Sequence, residues 1–367
     1  MPNMDDYLDW RGDVSFDADP FNEVDACILC ELVYTRFEGV VPMMDMGDPV
    51  PINKVAEDFF TLHSDEEIKA EKTFTRLAPF LMRRLVKSKR YIDMTLSDYV
   101  DEISMESDVQ LCAVTYHLNG GLVVCFRGTD ATLAGWKEDL MLSYKDHTNG
   151  QRAAAIYLEY MADKDPDEKD IIVAGHSKGG NLAMYAAAFC SEETKERISR
   201  IYNLDGPGFS ETMVETDEYI GILKKVKSYS PSVSLVGALL ERKYPMKYVA
   251  SSEKFIMQHD LLSWQVMANR LVEAEYRSNT SLFIEDVLDK WLMEVDEDTR
   301  ESIVTTLFDI LGNMDIETFP EITEDMLTNV KKMYAAATGL PKDKQKETLS
   351  AILNIIKIGG MTALTGR

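Results

Sequence analysis

A short apolar run followed by a glycine-rich turn and a helix-forming segment is the strongest pattern in the chain. Residues 171–173 read Ile-Ile-Val, which is typical of a strand buried on both faces. Residues 181–188 are rich in Ala, Leu and Met, and these residues favour helix. The pattern therefore predicts a strand, a sharp turn and a helix in that order.

Strands and helices alternate on both sides of this segment. Apolar runs at 109–116 and 122–126, separated by Asn-Gly-Gly, predict a β-hairpin. Further elements are expected as a helix at 151–161 and strands at 200–204, 226–230 and 248–251. This alternation predicts an α/β fold with a mostly parallel, doubly wound sheet and helices on both faces.

The first ninety residues give weaker local signals. Residues 1–20 are acidic and are expected to be irregular, and a helix is expected to open at Asp19-Pro20. The capping box at residues 64–67 predicts a helix that runs to about Lys89. The basic cluster at the end of that helix is interpreted as a solvated face; it consists of Arg83, Arg84, Lys87, Lys89 and Arg90.

The C-terminal part of the chain has an almost wholly helical pattern. Beginning at Ser263, apolar residues recur at helical spacing and alternate with acidic faces. We therefore divide the chain into an α/β domain over residues 1–270 and a helical C-terminal region over residues 271–367. The second region is interpreted as a subdomain or a cap.

Composition excludes several classes of partner. The 367 residues carry a formal net charge of −24, which argues against nucleic acid or an anionic membrane surface as the main partner. The acidic N-terminus lacks the apolar segment of a signal peptide, and no stretch approaches the ~20 apolar residues of a transmembrane helix. The oligomeric state is not determined by these features.

The cysteines indicate a reducing compartment. There are five of them, an odd and sparse number that does not suggest a disulfide framework. Cys27 and Cys30 form a C-x-x-C inside a helical pattern, without a second pair or a His cluster at metal spacing, and are interpreted as buried small hydrophobes. We predict a cytoplasmic protein that requires no metal and no cofactor.

The turn after the central strand carries the candidate chemistry. Residues 175–179 read G-H-S-K-G, which fits the G-x-S-x-G nucleophile elbow. Because Gly175 and Gly179 have no Cβ, strand and helix can approach closely around a strained Ser177. The helix N-terminus directs backbone N–H groups, that of Lys178 first, at any oxyanion formed there. Ser177 is therefore the candidate nucleophile.

A serine nucleophile needs a general base, and His259 is the candidate. It is the only histidine that follows Ser177, as the hydrolase order Ser, acid, His requires. The alternative is a structural histidine at the start of a helix. His176 is expected to pack beneath the elbow. The three remaining histidines are interpreted as structural: His63, His117 and His147.

Several motifs together resemble the class 3 lipases, a branch of the α/β-hydrolases. The chain resembles more closely a bacterial family of unknown function placed near those lipases. The motifs are W-R-G-D at 10–13, F-R-G-T-D at 126–130, G-W-K-E-D at 135–139, G-H-S-K-G-G-N-L-A at 175–183, D-G-P-G-F at 205–209 and Q-H-D-L-L-S-W at 258–264. The resemblance covers about residues 7 to 266 and implies an α/β-hydrolase fold and lipase activity.

The resemblance also bears on the remaining site residues. It implies that Thr129 supplies a second oxyanion-hole donor beside the N–H of Lys178. Lys178 replaces a leucine common in those lipases, and its ammonium is expected to be solvated. Arg127 and Asp139 are expected to form a structural ion pair beneath the site.

The acid of the triad departs from the lipase pattern. The stretch at 228–234, which matches the lipase acid position, has no carboxylate. Asp205 is the preferred replacement, because some α/β-hydrolases take their acid from the preceding strand. An Asp before Gly-Pro-Gly also serves simply to bond backbone N–H groups in a turn. Asp260 is expected to point away from His259. Ser232 or Ser234 would orient His259 more weakly than a carboxylate does.

The main hypothesis is a serine hydrolase that acts on carboxylic esters through an acyl-enzyme, with a small ester or lipid as its substrate. One alternative is a catalytically weak or inactive α/β-hydrolase scaffold used for partner binding, which the missing lipase acid favours. Another is a thioesterase or peptidase, because the same triad serves all acyl transfers.

Overall fold

An eight-stranded sheet lies at the centre of the computed structural model. The model describes residues 2–274, except 72, 74, 105–108, 120, 130–136, 138–140, 167–169, 235 and 238, together with residues 298, 301, 305 and 306. The strands are β1 (Val50–Pro51), β2 (Thr95–Ser104), β3 (Val109–Leu118), β4 (Gly121–Phe126), β5 (Ile171–His176), β6 (Ile198–Leu204), β7 (Val226–Pro231) and β8 (Met246–Val249). They lie side by side in chain order.

The sheet has an antiparallel and a parallel part. Strands β1 to β4 pair antiparallel, and β3 with β4 forms the predicted hairpin. Strands β4 to β8 pair parallel, each with the next strand along the chain. The described helices are α1 (Met4–Arg11), α2 (Glu23–Leu32), α3 (Ile52–Leu62), α4 (Asp65–Ala70), α5 (Met82–Leu85), α6 (Asn149–Lys164), α7 (Lys178–Phe189), α8 (Glu192–Arg197) and α9 (Asp217–Ile222).

Helices cover both faces of the sheet, which confirms the predicted α/β class. Side chains of the central strand β5 alternate between two hydrophobic cores, because successive residues of a strand point to opposite faces. Ile172 and Ala174 join the core that contains α1, α2 and α3. Ile171 and Val173 join the core that contains α6, α7 and α9. Every residue of β5 is buried, as its apolar run predicted.

The N-terminal segment is more ordered than predicted. Residues 4–11 form α1, where Asn3 accepts hydrogen bonds from two backbone N–H groups and completes a capping box with Asp6. Helix α2 begins at Glu23 and not at Asp19-Pro20, because Asn22 caps it in the same way. In both helices the asparagine cap fixes the residue at which the helix begins. The prediction of an irregular segment rested on its acidic composition and did not take these caps into account.

The helix predicted from residue 64 to Lys89 is wrong in length. Ser64 caps α4 as expected, but α4 ends where Glu71 adopts an extended conformation with ψ 139°. The chain resumes with a 3₁₀ turn, Ala78–Leu81, which has Pro79 near its start, and then with the short α5. Proline lacks a backbone N–H, so a continuous helix through residue 79 would lose a hydrogen bond and clash.

Within the described residues up to 274, the chain from Ser263 is not α-helical, contrary to the prediction. A 3₁₀ turn, Leu261–Ser263, leads into a two-stranded ribbon of β9 (Val266–Met267) and β10 (Arg270–Leu271). Val266 and Leu271 of the ribbon are buried in the core beside α2. Apart from residues 298, 301, 305 and 306, the region after 274 lies outside the described residues, so the division at residue 270 stays a prediction.

The five cysteines are all free and buried. Cys27 and Cys30 lie in α2 and contribute to the core, as their interpretation as small hydrophobes predicted. Desolvation by burial raises the pKa of both thiols well above the ordinary value, so they are inert as nucleophiles. The cytoplasmic location inferred from the cysteine count stays a prediction.

A buried ion pair joins the N-terminal helices to the loop before β2. The side chains of Arg90 and Asp25 are both 0% exposed, and Arg90 Nη2 lies 2.5 Å from Asp25 Oδ2. The hydroxyls of Tyr7 and Tyr91 also donate to Asp25, at 2.9 and 2.5 Å. Arg90 was expected in a solvated basic face, and that expectation is wrong because its carboxylate partner comes from α2.

We expect Arg90→Met to lower the free energy of unfolding by about 3–5 kcal/mol, because the carboxylate of Asp25 would remain buried without its cation. Arg84→Met is the matched control. The side chain of Arg84 is 41% exposed and pairs only with surface carboxylates, so its loss should cost less than about 1 kcal/mol. Urea unfolding measures both. Equal destabilisation of the two variants would contradict the assignment.

Candidate active site

Ser177 forms the sharp turn between β5 and α7. Its φ of 57° and ψ of −134° lie in a region that residues with a side chain rarely adopt. Its backbone N–H donates to the carbonyl of Leu204 on β6 at 2.9 Å, and its carbonyl accepts from Gly180 at 2.9 Å. The strained conformation is therefore fixed by both neighbouring elements, as a nucleophile elbow requires.

The glycines of the elbow allow three backbones to converge. A Cβ on Gly175 would collide with the carbonyl oxygen of Gly179, and one on Gly179 would collide with the carbonyl oxygen of Phe126 at the end of β4. A Cβ on Gly128 would lie 2.6 Å from the Cβ of Ser177. The segment after β4 is thus packed directly against the candidate nucleophile.

Asp205 and His259 meet at the carboxyl ends of the parallel strands. Asp205 follows β6 with a φ of 53°, and His259 ends the 3₁₀ turn Phe255–His259. Asp205 Oδ2 accepts a hydrogen bond from His259 Nδ1 at 2.6 Å. The Asp205 side chain is 0% exposed and that of His259 is 27% exposed. The structure brings together the two residues that sequence reasoning paired as acid and base.

The second oxygen of Asp205 is held by two serines. Oδ1 accepts from the hydroxyls of Ser230 and Ser234, each at 2.6 Å. Burial alone would raise the pKa of Asp205, but the hydrogen bonds from His259 and the serines outweigh it and lower the pKa below the ordinary value. Asp205 is therefore an ionised carboxylate with its lone pairs directed at defined donors.

Each of the alternative orienting groups makes a hydrogen bond to a partner other than His259. Ser232 bonds the side-chain oxygen of Gln258 at 3.2 Å, and Ser234 acts on Asp205. Asp260 accepts the backbone N–H of Leu262 at 2.9 Å and so caps the next 3₁₀ turn. Within the described residues, no side chain bonds the Nε2 atom of His259. That nitrogen is the one a general base would use.

His176 packs beneath the elbow, as predicted. Its ring centroid lies 4.4 Å from that of His259, and its Nε2 donates to the backbone carbonyl of His259 at 2.9 Å. Its Nδ1 lies 2.9 Å from the hydroxyl of Tyr34, a residue that the sequence did not suggest. Burial and the nearby His259 lower the pKa of His176 to about 3.

The two residues named for the oxyanion hole flank Ser177. Lys178 is the first residue of α7, and Thr129 follows Gly128, which packs on the Cβ of Ser177. The Lys178 side chain is 2% exposed, and its ammonium donates to Gln110 Oε1 at 2.6 Å. The expected solvated lysine is therefore wrong, because β3 supplies a buried polar partner for it.

The arginine beneath the site has a different described partner. Arg127 donates to both carboxylate oxygens of Asp101 on β2, at 3.1 and 2.8 Å. Asp139, the partner expected from the sequence, lies outside the described residues. The bond to Asp101 ties the segment after β4 to β2, which lies two strands away in the sheet.

In the part of the chain that the structure describes, no helix is long and apolar enough to cross a bilayer. No group of three or more His, Cys, Asp or Glu side chains in that part is arranged to hold a metal ion.

The low pKa of His176 predicts a pH dependence of stability. In the unfolded protein the His176 ring takes up a proton near pH 6.5, whereas in the folded protein it does so only at about pH 3. The free energy of unfolding should therefore fall as the pH drops from 6.5 towards 3, by up to about 1.4 kcal/mol per pH unit from this group. Urea unfolding should show a shallower decline for His176→Gln. Parallel curves for the two proteins would exclude this origin.

The chain was compared with solved structures and with curated proteins. It is similar to the structure described as M37 lipase, with 15% identity and a TM-score of 0.33, over 47% of this chain and 65% of that one. It is also similar to a fungal lipase, with 10% identity and a TM-score of 0.39, over 72% of this chain and 90% of that one. The chain thus spans slightly less than two thirds of the M37 lipase. No curated protein matches it.

A comparison with family models gives a match over more than half of the chain. The model is described as Mbeg1-like and matches residues 85–309. This range contains Ser177, Asp205 and His259 together with strands β2 to β8. It begins well after the motif at 10–13 and extends past the one at 258–264. The chain belongs to the Mbeg1-like family.

Proposed function

We propose that this protein is a serine hydrolase of carboxylic esters, with Ser177 as nucleophile, His259 as general base and Asp205 as the acid of the triad. The observation that carries the proposal is the 2.6 Å hydrogen bond between Asp205 Oδ2 and His259 Nδ1. The strained Ser177 directly follows His176, whose ring centroid lies 4.4 Å from that of His259. An ionised Asp205 fixes the tautomer of His259 that has its proton on Nδ1 and a lone pair on Nε2.

The proposed reaction is acyl transfer in two steps. His259 Nε2 takes the hydroxyl proton as Ser177 Oγ attacks the ester carbonyl, and the oxyanion is bound by the backbone N–H groups of Lys178 and Thr129. Collapse of this intermediate expels the alcohol, which receives the proton from His259, and leaves an acyl-enzyme. Water, deprotonated by His259, then releases the carboxylic acid and restores Ser177.

Asp205 is suited to stabilise the imidazolium formed in each step. Its carboxylate is buried, so its attraction to a positive ring is less screened than at the surface. Ser230 and Ser234 hold Oδ1, which leaves Oδ2 for His259. This arrangement favours an enzyme over the inactive scaffold, because the missing lipase acid was the main argument for the scaffold.

The substrate class we infer is a small ester or a lipid. The same machinery would serve a thioester or a peptide bond, so the type of acyl bond is a matter for assay. A panel of p-nitrophenyl esters of increasing chain length, compared with a thioester and a peptide anilide, measures the preference. The highest kcat/KM is expected for an ester.

We expect a fluorophosphonate probe to label the wild-type protein at Ser177. Ser177→Ala should abolish the labelling, because the nucleophile is gone, and His259→Ala should reduce it strongly, because no base remains. Intact-protein mass spectrometry gives the fraction labelled, and circular dichroism checks that each variant is folded. A folded wild type that is not labelled would refute the proposed function.

Asp205→Asn should lower kcat by about 10³- to 10⁴-fold, because an amide cannot stabilise the imidazolium or fix its tautomer. Asp260→Asn is the matched control. It removes a carboxylate from the next residue after His259, and the asparagine still caps Leu262. Its kcat should stay near that of the wild type. Steady-state hydrolysis of p-nitrophenyl butyrate compares them, and similar losses in both variants would remove Asp205 from the triad.

A further inference from the structure

A chain of hydrogen bonds beneath Ser177 links the two sides of the candidate site. The backbone N–H of Gly128 donates to the hydroxyl of Tyr34 at 3.2 Å. That hydroxyl lies 2.9 Å from His176 Nδ1, and His176 Nε2 lies 2.9 Å from the carbonyl oxygen of His259. The mechanism proposed above uses neither Tyr34 nor the His176 ring.

The positions of the protons in this chain follow from its two ends. The carbonyl of His259 can only accept, so His176 Nε2 must carry a proton. A neutral ring then has a lone pair on Nδ1, and the Tyr34 hydroxyl must donate to it. The Tyr34 oxygen is left to accept from Gly128. One arrangement of protons therefore satisfies all three hydrogen bonds.

Both ring systems keep these protons over a wide pH range. Burial and the neighbouring His259 hold the pKa of His176 at about 3, so its ring is neutral at ordinary pH. Desolvation raises the pKa of Tyr34 well above its ordinary value, so its hydroxyl stays protonated. The direction of every bond in the chain is thus fixed.

The two ends of the chain adjoin opposite parts of the machinery. Gly128 directly precedes Thr129, whose N–H group would bind the oxyanion. The N–H group of Gly128 itself donates to the Tyr34 hydroxyl. The carbonyl at the other end belongs to His259, the base. Tyr34 itself lies just after α2, outside the strands that carry the triad. It therefore connects two loops that no common strand holds together.

We propose that Tyr34 and His176 are positioning residues that hold the oxyanion-hole segment at Thr129 and the base His259 in register around Ser177. This inference rests on the proposed function. Tyr34 acts through its hydroxyl, and His176 acts through both ring nitrogens. Neither residue touches the reacting atoms. A purely structural role would affect stability and leave the turnover of the folded enzyme unchanged.

The test compares Tyr34→Phe with Tyr116→Phe. The Tyr116 hydroxyl donates to the carbonyl of Leu29 in α2 at 3.2 Å, so the control also loses one tyrosine hydroxyl bonded to backbone on the same side of the sheet. With p-nitrophenyl butyrate as substrate, we expect Tyr34→Phe to lower kcat by about 10- to 100-fold, because small displacements of catalytic groups have effects of that size. Its KM should change by less than about two-fold.

Tyr116→Phe should keep the wild-type kcat and KM, whatever its effect on thermal unfolding. A kcat of Tyr34→Phe within about two-fold of the control would overturn the proposal, because the hydroxyl would then have no positioning role. Equal losses of kcat in both tyrosine variants would overturn it as well, since the effect would be a general one of core hydroxyls.

Two substitutions of His176 test separately the two hydrogen bonds that its ring makes. His176→Asn keeps an acceptor near the position of Nδ1, for Tyr34, and His176→Gln keeps a donor near Nε2, for the carbonyl of His259. Each should lower kcat. Adding Tyr34→Phe to His176→Gln should cost little more, because the acceptor of Tyr34 is already lost there. Fully additive losses of kcat in the double variant would contradict a single chain of hydrogen bonds through Tyr34 and His176.

The labelling rate of Ser177 by the fluorophosphonate separates the two proposals. A wild type that is labelled and a Tyr34→Phe variant that is labelled equally fast would remove this inference and leave the hydrolase intact. An unlabelled wild type would remove both, because there would be no reaction to position. If Tyr34→Phe does not fold, the labelling rate of His176→Gln decides in the same way.

Discussion

The close approach of three backbones at the end of β5 is the constraint on which the rest of the site depends. Gly175, Gly179 and the end of β4 leave no room for a Cβ at the two glycines, and Ser177 takes a positive φ between them. The strained backbone conformation of Ser177 is tolerated because β5 is buried on both faces and α7 packs along it. A looser strand would let the serine relax into an ordinary turn.

The second constraint is the burial of a carboxylate. Asp205 has no exposed side-chain surface, so each of its lone pairs must be directed at a donor. Ser230 and Ser234 supply two of those donors from the stretch where lipases carry their acid. The serines in that stretch therefore provide the donors that a buried carboxylate directly after β6 needs.

The clearest errors of prediction concern two long, positively charged side chains. Arg90 and Lys178 lie in sequence surroundings that are typical of solvated residues, yet both side chains are buried. Each is stabilised by a partner far away in the chain: Asp25 on α2 for Arg90 and Gln110 on β3 for Lys178. Nothing near either residue in the sequence indicates that partner, because hydrogen bonds between distant segments leave no periodic signal.

The sequence was sufficient to predict the elements with strong periodicity or special residues: the strand, turn and helix around Ser177 and the hairpin of β3 and β4. It also suggested the pairing of Asp205 with His259 as a hypothesis. It did not indicate that α4 ends already at Ala70, or that the Tyr34 hydroxyl bonds the ring of His176. Tyr34 and His176 are separated by 142 positions. Such contacts exist only once the chain has folded, because burial, not local propensity, selects them.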